Sequence, residues 1–250
     1  MTDRKAALVT GGARRIGRAI ALALHRAGYA VAIQANRSLA EAEALRDEIT
    51  RERGRAAVVR ADLADHSAVS GLVAGAVDAV GPLSLLVNNA AMFEPDAIGA
   101  LDAERFDRQF AVNLRAPLFL SEAFAAQAGE GASIVNILDQ RVFKLTPHFV
   151  SYTLAKSALH SATRMLAQAL APTVRVNAVA PGPTMASARQ AADDFARQAA
   201  AVPLGHGPTA EEVAEAVVYL ASARSVTGAT LVIDGGQHLA WQTPDAITKE

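Results

Sequence analysis

The chain has 250 residues, of which 51% are hydrophobic, and a formal net charge of -1 at pH 7. This length and apolar content suffice for one sizeable core. The near-neutral charge, without a long basic run, argues against nucleic acid or an anionic membrane surface as a partner. The absence of cysteine excludes disulfides, thiol nucleophiles and thiolate metal sites, and we predict no metal site of any kind. No apolar run reaches the ~20 residues that span a bilayer, and no signal-peptide pattern is present, so we expect a cytoplasmic protein.

Apolar, strand-like runs alternate with helical patterns along the chain. The predicted strands lie at 6–10, 30–34, 56–60, 83–87, 133–138, 174–179 and 229–234. The predicted helices lie at 15–27, 39–53, 66–79, 102–128, 151–170 and 210–222. Strands that are apolar throughout, with helices between them, are typical of a parallel sheet covered on both faces. We therefore predict one doubly wound α/β domain of about seven strands over residues 1–250.

The segment 184–208 is weakly patterned and lies between the last two predicted strands. It is rich in Ala, Gln and Asp and is bounded by Pro183 and Pro203. We predict that it forms a mobile lid over a substrate site rather than part of the core.

A glycine-rich turn joins the first predicted strand to the first predicted helix. Gly11, Gly12 and Gly17 permit a tight turn, close approach of the backbone to a phosphate and close packing of the helix. The helix N-terminus then offers free N–H groups and a partial positive charge to an anion. The same pattern occurs in ordinary turns, but its place after the first strand favours a dinucleotide phosphate site. Arg15 is either a solvated side chain or, as we prefer, a phosphate ligand, because a cation at a helix N-terminus is unfavourable unless it faces an anion.

The end of the second strand, "QANRS" at 34–38, contains no carboxylate, and none follows before Glu41. An NAD site usually has Asp or Glu there to bind the ribose 2′-hydroxyl. Arg37 and Ser38 instead suit a 2′-phosphate, which predicts a preference for NADPH. Ser38 is also a good N-cap for the next helix. Asp62, after the third strand, either accepts a hydrogen bond from the adenine amino group or caps the following helix.

Tyr152 and Lys156 share one face of a predicted helix because they are four positions apart. A tyrosine has an ordinary pKa of ~10, and we expect the nearby ammonium to lower the pKa of Tyr152. Tyr152 then serves as a general acid, and Lys156 also holds the nicotinamide ribose. Such a pair in isolation is more often a helix-surface pair. Asp139 stands where the fifth strand ends, thirteen positions before Tyr152.

Several motifs together resemble the short-chain dehydrogenase/reductase superfamily in order and spacing, over nearly the whole chain: Thr10-Gly11 to Gly17, Asn88-Asn89-Ala90, Asn113, Tyr152/Lys156 and Pro181-Gly182. The resemblance implies a single-domain Rossmann fold, hydride transfer from NADPH and a homotetramer. It implies that Asn113 holds a helix distorted and positions a water for a proton relay, so that Asn113, Asp139, Tyr152 and Lys156 form the catalytic set. It implies a cofactor site made of Gly11, Arg15, Ile16, Gly17, Asn36, Arg37, Ser38, Asp62, Leu63, Asn89, Ala90, Lys156, Pro181, Gly182 and Thr184.

One branch of that superfamily is resembled further. Asp139 stands where the usual member has serine, as in the pteridine reductases and the related bacterial dihydromonapterin/dihydrofolate reductases. Arg15 in the glycine turn and the Asn-Arg-Ser segment at 36–38 are similar to that branch, as is Phe93 in "NNAAMF". The resemblance implies that Phe93 stacks on the pterin, in a substrate site completed by Arg15, Asp139 and Tyr152. Two positions depart from the branch: Ala91 replaces a frequent serine, and Gln34-Ala35 replace a His-Tyr pair.

We therefore expect an NADPH-dependent reductase of a pteridine: dihydrobiopterin, dihydromonapterin or dihydrofolate. The first alternative is a reductase of 3-oxoacyl thioesters or other ketones, since the fold does not fix the substrate. Asp139 is then a variant of the usual serine, and Phe93 is only pocket wall. The second alternative is an NADPH-binding protein without catalysis, which has no use for the Tyr152/Lys156 pair.

Overall fold

The computed structural model describes residues 5–186 and 189–241. Its strands are β1 Ala6–Val9, β2 Ala30–Ala35, β3 Ala56–Arg60, β4 Leu85–Asn88, β5 Ala132–Ile137, β6 Val174–Pro181 and β7 Thr230–Ile233. They form one seven-stranded sheet in the order β3-β2-β1-β4-β5-β6-β7, and every pairing is parallel. The prediction of a doubly wound Rossmann-type sheet is confirmed. The strand order reverses at β1, which pairs with β2 on one side and β4 on the other, so a ligand crevice opens at the carboxyl ends of β1 and β4.

Helices cover both faces of this sheet. They are α1 Arg15–Arg26, α2 Leu39–Arg51, α3 His66–Ser70, α4 Leu72–Val80, α5 Ala103–Phe110, α6 Ala116–Gln127, α7 Val150–Leu170, α8 Ala192–Ala200 and α9 Ala210–Ser222. Side chains alternate along a strand, so Val9 packs with α1, α2 and α9 while Leu8 packs with α4 and α6. The apolar runs of the sequence thus build two core layers, one on each side of the sheet.

Two predicted helices are interrupted, each for a local reason. The segment 66–79 forms α3 and α4, which are separated at Gly71, a weak helix former. The segment 102–128 contains a π-helical turn, Ala111–Arg115, between α5 and α6. Pro117 follows this turn, and a proline ring collides with the carbonyl four residues earlier in a regular helix. That carbonyl belongs to Asn113, so widening of the helix at this turn relieves the collision.

The predicted lid segment 184–208 contains α8, which its weak pattern did not predict. Residues 187–188 of the segment lie outside the described residues. None of the side chains of α8 is buried, so the helix lies over the core rather than within it. The mobility of this segment stays a prediction. In the described residues, the helices fall short of the combined length and hydrophobicity that crossing a membrane requires.

Candidate active site

The glycine turn after β1 is locked to the end of β4. Gly11 has a φ of +59°, and a Cβ there would lie 2.9 Å from Cα of Ala90. A Cβ on Gly17 would lie 2.2 Å from the Gly11 carbonyl oxygen. Nδ2 of Asn89 donates to the carbonyls of Thr10 and Gly11 at 2.9 and 3.1 Å, while Oγ1 of Thr10 accepts from the N–H groups of Asn89 and Ala90. The predicted glycines are therefore required by close packing, and they leave the N-terminus of α1 open at the crevice.

Gln34 is a positioning residue that was not predicted as part of the site. Its Oε1 accepts from the N–H of Gly11 at 2.8 Å, and its Nε2 donates to the carbonyl of Ala61 at 2.8 Å. It thereby joins the glycine turn to the end of β3. A polar residue inside the otherwise apolar run "AVAIQA" was the available signal.

Arg15 begins α1 with a φ of 55°, in the left-handed region that is uncommon for residues other than glycine. Its guanidinium donates to the carbonyls of Ala186 and Met185 at 2.7 and 2.9 Å. The structure therefore places Arg15 at the predicted pocket but directs its donors to the segment after β6. Its role as a phosphate ligand stays a prediction.

The polar groups predicted for the adenosine end lie after β2 and β3. Arg37 is exposed, and Ser38 precedes α2 without making a capping bond through its side chain. Asp62 is not a helix cap, because its Oδ1 accepts from the N–H of Ala64 at 2.9 Å. Asp65 takes the cap of α3 instead. Ser38 thus occupies the N-cap position of α2 without a side-chain bond, and the capping alternative for Asp62 is wrong. The roles of both residues toward a ligand stay predictions.

Asp139, Tyr152 and Lys156 meet where β5 ends beside the first turns of α7. The Tyr152 hydroxyl donates to Oδ2 of Asp139 at 3.1 Å, and Oδ1 of Asp139 accepts from the N–H of Arg141 at 2.9 Å. Nζ of Lys156 donates to the carbonyl of Ile137 at 2.7 Å and lies 5.9 Å from the Tyr152 ring centroid. The three ionisable side chains therefore lie close together at the same cavity.

Burial is the largest cause of the pKa shift of each of these three groups. It raises the pKa of Asp139, against the opposing effects of the Arg141 N–H and guanidinium. Burial, together with the adjacent Asp139, raises the pKa of Tyr152 well above 10, and burial lowers the pKa of Lys156 to about 8. The expectation that Lys156 lowers the pKa of Tyr152 is wrong here, because the ammonium bonds Ile137 while the hydroxyl bonds a carboxylate. Tyr152 is therefore held as a neutral phenol, the form that donates a proton.

Asn113 lies in the π-helical turn and is fully buried. Its Oδ1 accepts from the N–H of Met92 at 3.1 Å, and its Nδ2 donates to the carbonyl of Met92 at 2.8 Å. This reciprocal pair fixes the loop after β4, which carries Phe93. The side chain thus positions the pocket wall, and the predicted water relay through Asn113 stays a prediction.

Aromatic rings form one wall of the site. Phe93 stacks on Phe149 at a centroid distance of 4.2 Å and an interplanar angle of 3°, and it meets Tyr152 edge to face at 4.7 Å. The guanidinium carbon of Arg141 lies 5.1 Å from the Phe149 ring centroid. Phe149 and Arg141 were not predicted as site residues. Phe149 has a φ of 58° immediately before α7, and sequence spacing alone does not reveal that this turn folds it onto Phe93.

These groups line one cavity of about 600 Å³, a size ordinary for a small-molecule site. Among the predicted residues, the cavity is lined by Arg15, Ile16, Asn89, Phe93, Asp139, Tyr152, Lys156, Pro181, Gly182 and Thr184. The predicted adenosine residues lie outside this lining: Asn36, Arg37, Ser38, Asp62 and Leu63. Residues of the lid segment close one side, and Arg189 there pairs with Glu94 at 3.0 Å. The cavity therefore joins the glycine turn to the Asp139–Tyr152 pair.

Comparisons with known proteins agree with this arrangement. The family model described as enoyl-(acyl carrier protein) reductase matches residues 11–238. The crystal structure of FolM, alternative dihydrofolate reductase 1 from Brucella canis, in complex with NADP is 51% identical, with a TM-score of 0.94 over 98% of each chain. Pteridine reductase 1 of Leishmania tarentolae is 35% identical over 93% of this chain and 96% of its own. L-xylulose reductase of Bos taurus is 37% identical over 92% and 95%.

The similarity to these proteins extends over almost the whole chain. The parallel sheet also places the glycine turn and the Tyr152/Lys156 pair at one crevice. The chain belongs to the short-chain dehydrogenase/reductase family of oxidoreductases.

Proposed function

We propose that this protein is an NADPH-dependent reductase of a pteridine: dihydrobiopterin, dihydromonapterin or dihydrofolate. The observation that carries the proposal is the hydrogen bond between Tyr152 and Asp139, a carboxyl group where the family usually has the hydroxyl of serine. A substrate carbonyl needs only a hydrogen-bond donor at that position. A ring nitrogen that must gain a proton benefits from a second ionisable acid. The likeness to an alternative dihydrofolate reductase and to a pteridine reductase supports the same substrate class.

The residues at the cofactor end fit NADPH. Arg37 is exposed and forms no ion pair among the described residues, and the side chain of Ser38 makes no cap bond. The first carboxylate after β2, Glu41, pairs with Arg14 at 3.6 Å. A guanidinium and a hydroxyl at this place suit a 2′-phosphate. Arg37 and Ser38 would hold that group, and the N-terminus of α1 would hold the pyrophosphate.

The chain's own residues supply the proton. When bound, the nicotinamide supplies the hydride. Tyr152, kept neutral by its raised pKa, donates its hydroxyl proton to the ring nitrogen beside the reduced carbon. Asp139 in its protonated form then returns a proton to the Tyr152 oxygen across the hydrogen bond that joins them. The ammonium of Lys156, which lies at the same cavity, would hold the nicotinamide ribose.

The aromatic wall fits a flat heterocycle. Phe93 lines the cavity, stacks on Phe149 and makes an edge-to-face contact with Tyr152. A ring stacked on this wall lies next to the Tyr152 hydroxyl. Stacking on a fixed aromatic side chain binds a pterin at low entropic cost because the wall is already ordered.

A second candidate is the reduction of a ketone such as a sugar. The 37% identity to L-xylulose reductase favours it, and the Tyr152/Lys156 pair serves a carbonyl oxygen equally well. In that case Asp139 acts only as a hydrogen-bonding variant of serine. This candidate predicts turnover of ketones and none of pterins.

The deciding experiment is NADPH oxidation by the purified protein, followed by absorbance. The substrates are dihydrobiopterin, dihydromonapterin and dihydrofolate, set against an acetoacetyl thioester, L-xylulose and simple ketones, at acidic and at mildly alkaline pH. Pterin turnover with little ketone reduction is expected. Ketone turnover alone would replace the proposal by the second candidate, and NADH as the better cofactor would overturn the cofactor part.

We also propose a homotetramer formed through α6 and α7. Phe119 on α6 and Leu154 and Met165 on α7 are large apolar side chains exposed to solvent in the single chain. Burial of such side chains favours association. Sedimentation equilibrium of the purified protein checks the assembly, and a monomer at micromolar concentration would contradict it.

A further inference from the structure

Several cations line the cavity, and two of its arginines are already committed to the chain. Arg15 donates to the carbonyls of Met185 and Ala186. Arg189 forms an ion pair with Glu94 at 3.0 Å. Both arginines therefore fasten the segment after β6 to the rest of the pocket, and much of their hydrogen-bonding capacity is used within the protein.

Arg141 differs from these two arginines. Its side chain makes one hydrogen bond within the described part of the chain, from Nη1 to Oγ1 of Thr146 at 3.0 Å, and it forms no ion pair there. A guanidinium carries several N–H donors in a fixed planar fork, so most donors of Arg141 stay available. The guanidinium carbon lies 5.1 Å from the Phe149 ring centroid and 5.8 Å from that of Phe93. Cation–π attraction therefore holds the fork in place without using its donors.

The backbone sets Arg141 between the reacting groups and the surface. It belongs to the short 3-10 turn Gln140–Val142 that follows Asp139, and four positions of the next segment, 143–148, are exposed. Tyr152 and Arg141 both lie close to the ring of Phe93, at 4.7 and 5.8 Å from its centroid. A heterocycle stacked on this wall with its reacting edge at Tyr152 carries its substituent past Arg141 toward solvent.

We propose that Arg141 is a specificity-determining residue that binds an anionic oxygen group, a carboxylate or a phosphate, on the substituent of a reduced pterin. The inference rests on the proposed function, because it requires the pterin ring to lie on the Phe93 wall. A guanidinium fork matches either anion with two parallel hydrogen bonds. The enzyme then favours a dihydropterin with an acidic substituent, such as dihydrofolate, over one with a neutral substituent, such as dihydrobiopterin.

The charge of Arg141 also lowers the pKa of Asp139 and of Tyr152. Removing the guanidinium therefore alters the rate with every substrate, and a fall in activity alone does not reveal anion recognition. The discriminating quantity is the ratio of kcat/KM between an anionic and a neutral pterin. The effect on the two acids is common to both substrates and cancels in that ratio.

The test compares the wild type with Arg141→Met and Arg141→Lys on dihydrofolate, a dihydroneopterin phosphate and dihydrobiopterin, with NADPH saturating. Arg141→Met should lower the anionic-to-neutral ratio by about ten- to a hundredfold, mainly through KM, and Arg141→Lys should lower it less. The arm that shows the larger change identifies carboxylate or phosphate as the recognised group. The backbone N–H that bonds Asp139 is retained in both variants.

Arg189→Met is the matched control, because it removes another arginine of the cavity whose charge is already paired. It should change kcat/KM by the same factor for all three substrates. Equal losses on all three in Arg141→Met would overturn the inference and leave the proposed function standing. A wild type that reduces no pterin would overturn the proposed function and this inference with it. Arg141→Gln replaces Arg141→Met if the latter does not fold.

Discussion

The Tyr152 hydroxyl donates a hydrogen bond to Oδ2 of Asp139 across 3.1 Å and thereby joins the first turn of α7 to the end of β5. Burial is the largest cause that raises the pKa of each group. Both groups therefore keep their protons to a higher pH than they would in water. The protonated form is the one that a proton donor and the group that recharges it need.

Tyr152→Phe should reduce kcat by roughly a hundred- to ten-thousandfold, the usual contribution of a positioned proton donor. The substitution removes only the hydroxyl and leaves the ring contact with Phe93. Binding of NADPH, measured by fluorescence titration, should stay within about twofold of the wild type. Retained turnover would mean that another group donates the proton, and a protein with no turnover before the substitution would be the non-catalytic alternative.

Asp139→Asn should remove one limb of the pH–rate profile. The raised pKa of Asp139 means that its carboxyl proton is present at low pH and is lost as pH rises through that value. A rate that needs this proton falls over the same interval, whereas the amide of Asn does not titrate. The measurement is kcat against pH for both proteins. An identical profile would remove the acid role from Asp139.

A second limb should appear near the pKa of Lys156. Burial lowers this pKa to about 8, so the ammonium that would hold the nicotinamide ribose is lost above that pH and kcat falls. Asp139 raises the pKa of Lys156, and removing its charge should therefore move this limb to lower pH in Asp139→Asn. A limb at the same pH in both proteins would show that the two groups do not interact.

The free energy of unfolding of Asp139→Asn should increase relative to that of the wild type as pH rises. The folded-state pKa of Asp139 is raised above its unfolded value, so this carboxyl contributes its full stability below the unfolded pKa. That contribution is lost as pH rises through the folded pKa, because a buried carboxylate must then be charged. Urea denaturation across the acidic range measures the difference between the two proteins. A constant difference would show that Asp139 is not desolvated.

Arg37→Met should raise KM for NADPH by about ten- to a hundredfold and leave KM for NADH nearly unchanged, because only NADPH carries the 2′-phosphate. The matched control is Arg51→Met, an exposed arginine in the last turn of α2, which should change neither value. The effect of Arg37→Met should shrink at high salt, since an exposed ion pair is screened. Equal changes for both cofactors would place Arg37 outside the ribose site.

Asp96→Asn should weaken the attachment of the loop after β4, which carries Phe93, to the N-terminus of α7. The carboxylate of Asp96 accepts from the N–H of Ser151 at 3.2 Å and from the Ser151 hydroxyl, and the Asp96 carbonyl accepts from the N–H of Phe149 at 2.8 Å. A negative charge at this helix N-terminus is also favourable. We expect a loss of about 2 kcal/mol in the free energy of unfolding and a fall in kcat. Ser151→Ala, which keeps the N–H bond, should lose less, and unchanged stability in both would refute the role.

Much of the fold could be predicted because the strands are mostly apolar and every crossover carries a helix. Parallel strands place their carboxyl ends along one edge, so Asp139 and the residues after β1 and β4 had to lie near one another. The helical spacing that placed Tyr152 and Lys156 on one face is purely local. These inferences needed no side-chain geometry.

The remaining features depend on contacts between distant segments. Arg15 bonds carbonyls about 170 positions away, and no periodicity indicates such a partner. The raised pKa of Tyr152 follows from burial, which a four-residue spacing does not report. The π-helical turn at Asn113 has a local signal in the sequence, because Pro117 stands four residues later and disfavours a regular helix there.

The wholly parallel sheet also has an engineering consequence. The candidate active site lies at the carboxyl ends of the strands, so the turns that lead into their amino ends are distant from it. Gly129, before β5, is open: a Cβ there meets no atom within 4 Å, and the chain contains no cysteine. Gly129→Cys therefore offers a single attachment point for a dye or a surface, from which turnover can be watched without the label touching the reaction.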